Sequence, residues 1–526
     1  MNDSMNALIE RRETRLKGIK LAALFMAAAF ALTACSGPEG ASQDGANVSL
    51  PSPPLSLERQ ILGDTTAELD REITLYRASD GTMELTTVTR SIHAGADGNI
   101  LKSVLEELLS SLPGGGSLLV GGAQATLEDV EFGSGLATVR LSIDAGVNRS
   151  DQDYLLLCAS IANTLLGIDG VDAVNVLTGE RSNPICALPA GVFTAQLNNI
   201  PAAYAQVQSE RERFLEEGTS SLGRTAYLYF PAHGGQYLLP EARTIVFSGT
   251  DYASALIEAL RAGTQTHSCC FSAVPANLEL LGGAPKLSVT ADGERVLDLE
   301  LSSVLTNYLA LAGVEPWQFY GSLVLTLTSF LPELDAVRVS IGGNYVTECD
   351  MTTHLAFFPD GLMRRMDFTP CIGSSAWLYF SDGSGGLTRL ECAISQAGAA
   401  SARSILTAMI TLGDSYLPGL SSVFPEGVGA EDVLGVTIEG RTALVNLSGN
   451  FYSQCQSMNE QRERALIYAM VNALAELDTI GAVSFLVEGR QLDSLVGSVY
   501  LRSALMPDPG IVHDYALASA PDLPNG

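Results

Sequence analysis

Basic residues are scarce in this chain of 526 residues. Lys and Arg total 30 against 59 Asp and Glu, which gives a formal net charge of −29 at pH 7. Four of the basic residues are lysines, namely Lys17, Lys20, Lys102 and Lys286. A surface this acidic repels phosphate backbones and anionic lipid headgroups. The composition therefore argues against a nucleic-acid partner and against electrostatic adhesion to a membrane.

The sequence also lacks the short motifs that carry common chemistries. It contains no G-x-S-x-G, no Walker A lysine, no H-E-x-x-H and no C-x-x-C. Paired carboxylates for glycoside hydrolysis would have to converge across a cleft at roughly 5–10 Å. Sequence alone does not exclude such a pair, but solvated strand and helix faces explain the acidic residues more simply. We therefore predict no catalytic residue, no metal site and no cofactor. The five histidines are far apart and never at metal-ligand spacing: His93, His233, His267, His354 and His513.

Long hydrophobic runs are absent outside the N-terminal region. Leu21–Ala34 is apolar and follows a positively charged segment. Its 14 residues would rise about 21 Å as a helix, short of the ~30 Å hydrocarbon core. The run therefore predicts a signal peptide over residues 1–34 and not a membrane span.

The residues at the end of this run carry a resemblance. Leu32, Thr33, Ala34 and Cys35 resemble the lipobox of bacterial lipoproteins. The resemblance implies that Cys35 is acylated, palmitate being one such chain, and anchors the protein on the extracytoplasmic face of the cell membrane. The alternative is an ordinary secretory signal with a coincidental cysteine. Residues 35–71, rich in Gly, Pro and Ser at their start, are predicted to be a flexible tether.

One sequence pattern occurs three times. Leu75-Tyr76, Leu228-Tyr229 and Leu378-Tyr379 lie in similar short strands, at spacings of 153 and 150 residues. A second strand, an amphipathic helix and a hairpin follow each of them, and the Asp292-Gly293 turn is the clearest hairpin signal. Each copy ends in an apolar helix and a strand. The predicted final helices are Tyr154–Leu166, Trp317–Phe330 and Glu463–Leu477, and the predicted final strands are Val171–Leu177, Ala336–Ile341 and Ala482–Val487.

We predict an α/β (α+β) fold with three repeats of a small β-β-α-β-β-α-β domain. Two helices should pack on one face of a mixed sheet in each repeat. Phe319–Phe330 taken alone is also compatible with a buried strand, because it is rich in Val, Thr and Leu. Its alignment with the other two copies favours a helix.

The strand with Leu-Tyr, the glycine-turned hairpin and the final helix and strand together resemble the GerMN domain of sporulation and spore-germination lipoproteins. Here the domains would span 72–182, 224–345 and 374–490, and the resemblance implies a fold similar to ring-building-motif domains. A helical connector is predicted over 183–223, a hairpin connector with an Asp360-Gly361 turn over 346–373, and a C-terminal tail over 491–526, loose after Met506.

Eight cysteines remain when Cys35 is set aside. An even number in an exported chain permits disulfides, and eight cysteines allow 105 pairings. Buried, reduced cysteines are an equally good interpretation. The pairings we favour are Cys349 with Cys371, Cys392 with Cys455, and Cys158 with Cys186.

The resemblance implies a non-catalytic scaffold that acts by protein–protein contacts in a sporulation or germination assembly. Its expected partners are other extracytoplasmic or membrane proteins, a second copy of the chain, and the membrane through the lipid anchor. The alternative is a ligand-binding or sensor-accessory lipoprotein that regulates a membrane partner. Three copies and long connectors are departures from the family pattern.

Overall fold

The computed structural model describes residues 71–513 except 79–82, 93–99, 111–118, 121–122, 144–149, 180, 183, 234–236, 282, 352, 396–401, 413–419 and 478. The predicted signal peptide, the lipobox residues Leu32, Thr33, Ala34 and Cys35, and the predicted tether up to residue 70 lie outside the described residues. So do His93 and residues 514–526.

The first repeat begins with an antiparallel hairpin and ends with a mixed sheet. Its elements are β1 (Arg71–Ala78), β2 (Leu85–Ile92), α1 (Ile100–Leu109), β3 (Leu119–Val120), β4 (Ala123–Gln124), β5 (Thr126–Gly133), β6 (Leu136–Ser142), α2 (Asp151–Leu165), β7 (Ala173–Thr178) and β8 (Arg181–Ser182). Ser150 caps α2, since its hydroxyl accepts from the Asp153 amide at 3.1 Å. Every side chain from Tyr154 to Leu165 is buried, so α2 forms the centre of this core.

The first connector contains a helix and leads to the second repeat. It consists of β9 (Pro184–Ile185), β10 (Leu188–Pro189), α3 (Ile200–Arg211) and a π-helical turn (Glu212–Glu216). The second repeat then contains β11 (Leu222–Pro231), β12 (Leu238–Phe247), α4 (Tyr252–Arg261), β13 (Lys286–Val289), β14 (Arg295–Leu301), α5 (Leu305–Ala312), α6 (Pro316–Phe330), β15 (Ala336–Ile341) and β16 (Asn344–Tyr345).

The second connector leads to the third repeat. It consists of β17 (Glu348–Asp350), β18 (Leu355–Phe357), a 3-10 turn (Pro359–Gly361), β19 (Leu362–Met363), α7 (Arg365–Phe368) and a 3-10 turn (Thr369–Cys371). The third repeat contains β20 (Gly373–Ser381), β21 (Leu387–Ser395), α8 (Ala402–Leu412), a 3-10 turn (Ala430–Asp432), β22 (Val433–Glu439), β23 (Thr442–Leu447), α9 (Gly449–Cys455), α10 (Glu460–Ala475), β24 (Ala482–Val487) and β25 (Arg490–Gln491). A last 3-10 turn (Pro509–Ile511) precedes β26 (Val512–His513).

The predicted order of elements is confirmed in all three repeats. Each has a mixed sheet in which the second hairpin continues into a parallel final strand: β5-β6-β7-β8, β13-β14-β15-β16 and β22-β23-β24-β25. The first hairpins, β1–β2, β11–β12 and β20–β21, pair in separate ladders. Two short helices, α5 and α9, were not predicted, and both follow the second hairpin of their repeat.

The segment Phe319–Phe330 is helical, as the alignment of the copies predicted. Pro316 occupies the first turn of α6, where its fixed φ favours a helix and its missing N–H costs nothing. Thr328 and Ser329 donate their hydroxyls to the carbonyls of Val324 and Leu325 at 2.7 and 2.6 Å. These bonds satisfy polar side chains inside a helix that is buried from Trp317 to Phe330.

Two expectations about irregular segments were wrong. The connector hairpin turns between Asp350 and Leu355, whereas Asp360 and Gly361 bring the chain back to pair β19 with β15. Both residues do adopt the left-handed conformation expected of an Asp-Gly turn, with φ of 55° and 70°. The tail is not loose up to His513, because β26 pairs with β21 in parallel.

The second repeat has a core that extends beyond its own residues. Its buried cluster is centred on α6, β11 and β14, and it includes Leu136 and Ala173 of the first repeat and Ala393 of the third. The first repeat keeps a cluster of its own around α1 and α2. The middle repeat is therefore the structural centre of the described chain.

Candidate functional site

Within the described ranges, no group of three or more His, Cys, Asp and Glu could hold a metal ion. The four described histidines are dispersed. His267 contacts Glu391, His513 contacts Asp382, His354 contacts Thr353, and the His233 ring lies 4.8 Å from that of Phe271. In this part of the chain, no helix is both long and apolar enough to cross a membrane.

None of the eight cysteines outside the lipobox, all of which lie in the described residues, forms a disulfide, and all but the half-buried Cys371 are buried. None of the three pairings favoured from sequence, Cys349–Cys371, Cys392–Cys455 and Cys158–Cys186, is bonded. Burial raises the pKa of Cys349 and of Cys455 to about 12 and that of Cys371 to about 11, which keeps these thiols protonated.

Several buried charged side chains lie where the repeats meet, at contacts that we call the seams. Arg365, in the second connector, has no exposed side-chain surface. Its guanidinium donates to Glu131 of β5 at 2.5 Å, to the Tyr229 hydroxyl of β11 at 3.0 Å, and to α6 through the Ser329 hydroxyl. One side chain thus joins the first repeat, the second repeat and a connector.

Electrostatics keep this arginine charged. Burial alone would lower the pKa of Arg365, but the Glu131 carboxylate, together with Tyr229, raises it above its ordinary value. Glu131 also lies 3.7 Å from Arg140, which pairs with Asp129 at 2.7 Å. The pair is not fully satisfied, since Arg365 Nε and Glu131 Oε1 are buried without a hydrogen-bond partner. It still constrains the geometry, because losing one partner would leave the other charge uncompensated.

A second buried pair joins the second and third repeats. The His267 ring, in the loop after α4, lies 2.7 Å from Glu391 Oε1 of β21, and its other nitrogen lies 3.1 Å from the Pro240 carbonyl. The Ser268 amide and hydroxyl donate to Glu391 Oε2 at 2.7 and 2.9 Å. Burial lowers the pKa of His267, but the hydrogen bond and charge of Glu391 outweigh burial and raise it.

The first and third repeats also meet. The Ser134 amide, in the turn between β5 and β6, donates to the Ser374 hydroxyl at 2.8 Å, and the Ser375 amide donates to the Ser134 hydroxyl at 3.0 Å. A Cβ on Gly133 would lie 2.6 Å from the Gly373 carbonyl oxygen, so the two backbones approach closely. All three pairs of repeats are therefore in contact, and the described residues pack as one unit.

Exposed apolar side chains are concentrated in the middle repeat and its connector. Among the described residues, thirteen large apolar side chains are exposed, and nine of these lie between residues 246 and 357: Val246, Leu281, Leu287, Val289, Val304, Leu311, Tyr345, Leu355 and Phe357. Scattered exposed apolar residues are ordinary, whereas exposed apolar neighbours on one element indicate a contact surface.

Two of these exposed residues lie together on the open edge of one sheet. Strand β13 is the terminal strand of its sheet, and Leu287 and Val289 on it are 50% and 65% exposed. In the first and third repeats the corresponding strands, β5 and β22, are also terminal in their sheets but pack against α1 and α8. In the middle repeat α4 packs instead against β11, β12 and α6. We call residues Lys286–Val289 the β13 edge.

A shallow groove lies between the first repeat and the first connector. It lies between α3 and the β9–β10 hairpin, has a volume of about 180 Å³, and is lined by Leu155, Phe193, Val207 and Arg224 among others. Arg224 pairs with Glu210 at its rim at 2.6 Å. Cavities that hold small-molecule ligands are usually larger, roughly 300–1,000 Å³.

Sequence reasoning found none of the seam residues. Glu131 and Arg365 each carried one signal, a charged residue inside a largely apolar stretch (VEF and LMRRMDF), but neither stretch indicated the other. The predicted lipidation residue Cys35 lies outside the described residues, so the seams and the β13 edge are the features that the structure itself contributes.

Comparisons with known proteins match two of the repeats to one family. The model of the Germane family, described as sporulation and spore germination, matches residues 74–182 and 377–493. The middle repeat lies outside both matches. No curated protein matches the chain.

Solved structures give weaker likenesses. The tandem GerMN domains of the sporulation protein GerM from Bacillus subtilis are 15% identical, cover 54% of this chain and 98% of their own, and have a TM-score of 0.21. A Clostridium perfringens protein provisionally named a lipoprotein is 18% identical, covers 26% of this chain and 87% of its own, and has a TM-score of 0.19. At these TM-scores the likenesses carry no argument.

Proposed function

We propose that this chain is a non-catalytic scaffold, because two of its repeats match the Germane family, which is described as sporulation and spore germination. Its repeats would bind other extracytoplasmic or membrane proteins in a sporulation or germination assembly. The seams support this proposal, since three mutually packed repeats present a stiff outer surface. The observation that carries it is the β13 edge, an open strand with two exposed apolar side chains.

The chemistry of the β13 edge favours one kind of partner. An open strand offers unpaired backbone N–H and C=O groups, to which an extended segment can add as a further strand. Leu287 and Val289 would contact alternate apolar side chains of that segment. The chain as a whole carries a charge of −29, so a segment with flanking Lys or Arg complements it best. The partner is therefore an extended, apolar and basic segment of another protein.

The edge can be tested with the full chain in solubilised membranes. We expect the double variant Leu287→Asp, Val289→Asp to lose the proteins that crosslink to a photoreactive residue placed at position 286, in place of the exposed Lys286 of the same strand. Leu311→Asp is the matched control, because Leu311 is 85% exposed but lies on α5 and not on β13. Crosslinking that survives in the double variant would refute this surface, and a crosslink to a second copy would identify self-association instead.

The membrane anchor is tested separately. Acylation of Cys35 would hold the chain at the membrane, since each buried methylene contributes about 0.8 kcal/mol. We expect Cys35→Ala to move the protein from the membrane fraction to the soluble fraction. Cys371→Ala, which removes a half-buried thiol far along the chain, should leave the distribution unchanged. Retention of the Cys35→Ala variant in membranes would contradict lipid anchoring.

A second candidate is a ligand-binding or sensor-accessory lipoprotein that regulates a membrane partner. The groove beside α3 favours it, because apolar walls and an Arg224–Glu210 pair could hold a small amphipathic ligand. Its volume of about 180 Å³ lies below the usual range for such sites, which is why the scaffold is preferred. A ligand that binds the wild-type chain but not Val207→Trp, which fills the groove, would support this second candidate.

A further inference from the structure

Two consecutive cysteines lie side by side in the loop after α4. The Cys269 and Cys270 sulfurs are 3.9 Å apart. The two residues are 5% and 7% exposed, so both are buried without being wholly shielded from solvent. Neither belongs to the pairings favoured from sequence, and neither is used by the proposed scaffold. Their proximity comes directly from their adjacency in the chain and from the turn that contains them.

This turn is held at the seam between the second and third repeats. Cys270 forms an antiparallel bridge with Ala232, and the Cys269 carbonyl accepts from the His233 amide at 2.8 Å. The two residues just before the cysteines, His267 and Ser268, make all of the contacts with Glu391 of β21 described above. A change of backbone conformation at the cysteines therefore acts one residue away from the seam.

We propose that Cys269 and Cys270 form a reversible vicinal disulfide by exchange with a low-molecular-weight disulfide, and that closing it releases Glu391 and loosens the contact between the second and third repeats. The supply of such an oxidant in the cell rests on the extracytoplasmic location given under the proposed function. The chemistry itself does not depend on that location.

The exchange balances with one disulfide oxidant. The Cys269 thiolate attacks one sulfur of the oxidant, forms a mixed disulfide and displaces one thiolate. The Cys270 thiolate then attacks the Cys269 sulfur and displaces the second thiolate. The two cysteine protons pass to the released thiolates, so the pair loses two electrons and the oxidant becomes two thiols. Cys269 attacks first, because the pKa of Cys270 is raised. The hydrogen bond with the Cys269 side chain is the main cause, and burial is the second.

Closing the bond requires the backbone to move. The sulfurs must approach from 3.9 Å to about 2.05 Å. Neighbouring Cα atoms across a trans peptide are about 3.8 Å apart, below the usual disulfide range of roughly 4.4–6.8 Å. The peptide groups around Cys269 must therefore rotate, and the Ser268 amide that donates to Glu391 is the nearest seam contact. The resulting strain makes the bond easy to reduce, which makes the change reversible.

The first experiment counts thiols in the purified full-length chain. After incubation with excess oxidised glutathione, the protein is denatured, alkylated and mapped by peptide mass spectrometry. We expect Cys269 and Cys270 to lose alkylation together, as one intramolecular bond, and to regain it with dithiothreitol. Full alkylation of both after oxidation would overturn the proposal, and so would a bond at another pair while these two stay free. Cys371→Ser is the matched control and should not change the result.

The second measurement is amide hydrogen exchange on the same reduced and oxidised samples. We expect exchange at Ser268 to become about tenfold faster or more on oxidation, the size expected for losing a hydrogen bond to a charged group. Exchange in β21 should also rise, whereas β5 should not change. Identical exchange at Ser268 in the two states would overturn the coupling. Neither measurement needs a variant or the membrane, so their failure is distinguishable from failure of lipid anchoring.

Discussion

The Arg365 guanidinium donates to Glu131 at 2.5 Å, although 234 residues separate the two in the chain. Neither side chain has more than 4% of its surface exposed. Their pairing fixes the first repeat against the second connector, while Tyr229 and Ser329 tie the same guanidinium to the second repeat. The relative position of the repeats thus depends on a polar contact inside an apolar core.

Replacement of Arg365 by Met should destabilise the protein by about 3–5 kcal/mol, because it leaves the Glu131 carboxylate buried without its partner. The loss should fall toward the lower end, since Arg140 lies 3.7 Å from the same carboxylate. Urea unfolding followed by tryptophan fluorescence measures the change, because Trp317 is buried in α6.

Two further variants make this prediction specific. The double variant Arg365→Met, Glu131→Gln should recover part of the lost stability, because no buried charge is then left unpaired. Arg502→Ala removes an exposed pair with Asp493 and should leave the free energy of unfolding nearly unchanged. Equal losses for Arg365→Met and Arg502→Ala would contradict the role assigned to the buried pair.

The seam between the second and third repeats should weaken above neutral pH. Burial lowers the pKa of His267, but Glu391 raises it above the ordinary value of 6.5. The stabilisation from this pair is therefore complete below pH about 6.5 and is lost as the pH rises through the raised pKa of folded His267. Burial raises the pKa of Glu391, but His267 and Ser268 outweigh it and lower the pKa. The same stabilisation is thus lost in acid, as the pH falls through that lowered pKa.

Hydrogen exchange at Ser268 and in β21 as a function of pH, corrected for the intrinsic rate, measures this seam. We expect least protection at the two extremes of pH, and in His267→Gln the loss of protection above neutral pH should disappear. His354→Gln is the matched control, because His354 is exposed and the hydrogen bond described for its ring is with the neighbouring Thr353. A pH profile in His267→Gln that matches the wild type would count against the pair.

The segment after β25 should depend on one buried carboxylate. Glu463 of α10 is fully buried and accepts from the amides of Leu495, Val496 and Ser498 at 2.9, 2.7 and 2.7 Å. Burial raises the pKa of Glu463, but these hydrogen bonds outweigh it and lower the pKa. Glu463→Gln replaces an acceptor by a donor and should cost about 1–3 kcal/mol.

Limited proteolysis reports on that segment directly. In Glu463→Gln we expect faster cleavage between residues 492 and 506 than in the wild type, and the same increase in the wild type at a pH below the lowered pKa of Glu463. Glu460→Gln, which changes an exposed carboxylate one turn earlier on α10, should leave the cleavage rate unchanged. An unchanged pattern in both variants would show that Glu463 does not hold the segment.

Contact between the first and third repeats should not tolerate a methyl group at Gly133. Its Cβ would lie 2.6 Å from the Gly373 carbonyl oxygen, a backbone atom that cannot turn away. Gly133→Ala should therefore cost about 1–3 kcal/mol in urea unfolding. Gly223→Ala is the matched strand control, because nothing lies within 4 Å of its Cβ position. Equal stability of the two variants would mean that this close approach is not maintained.

The elements of each repeat could be predicted from sequence because their signals are local. Apolar periodicity located α1 and α10, and the Asp292-Gly293 turn located the hairpin of β13 and β14. The seams could not be predicted, because Glu131 and Arg365 are related only through the packing of separate repeats. The exposure of β13 depends in the same way on where α4 packs, which its own sequence does not reveal.

Buried charged pairs at the seams have a consequence for how such a chain can change over time. Apolar contacts tolerate many neighbours, but Glu131, Arg365 and Glu391 each require one complementary group at one position. A chain in which the first and third repeats were exchanged, or a fourth were inserted between them, would leave these groups without partners. The three copies are therefore no longer interchangeable. Duplication or shuffling of repeats can extend the array only if the buried charged contacts between repeats change as well.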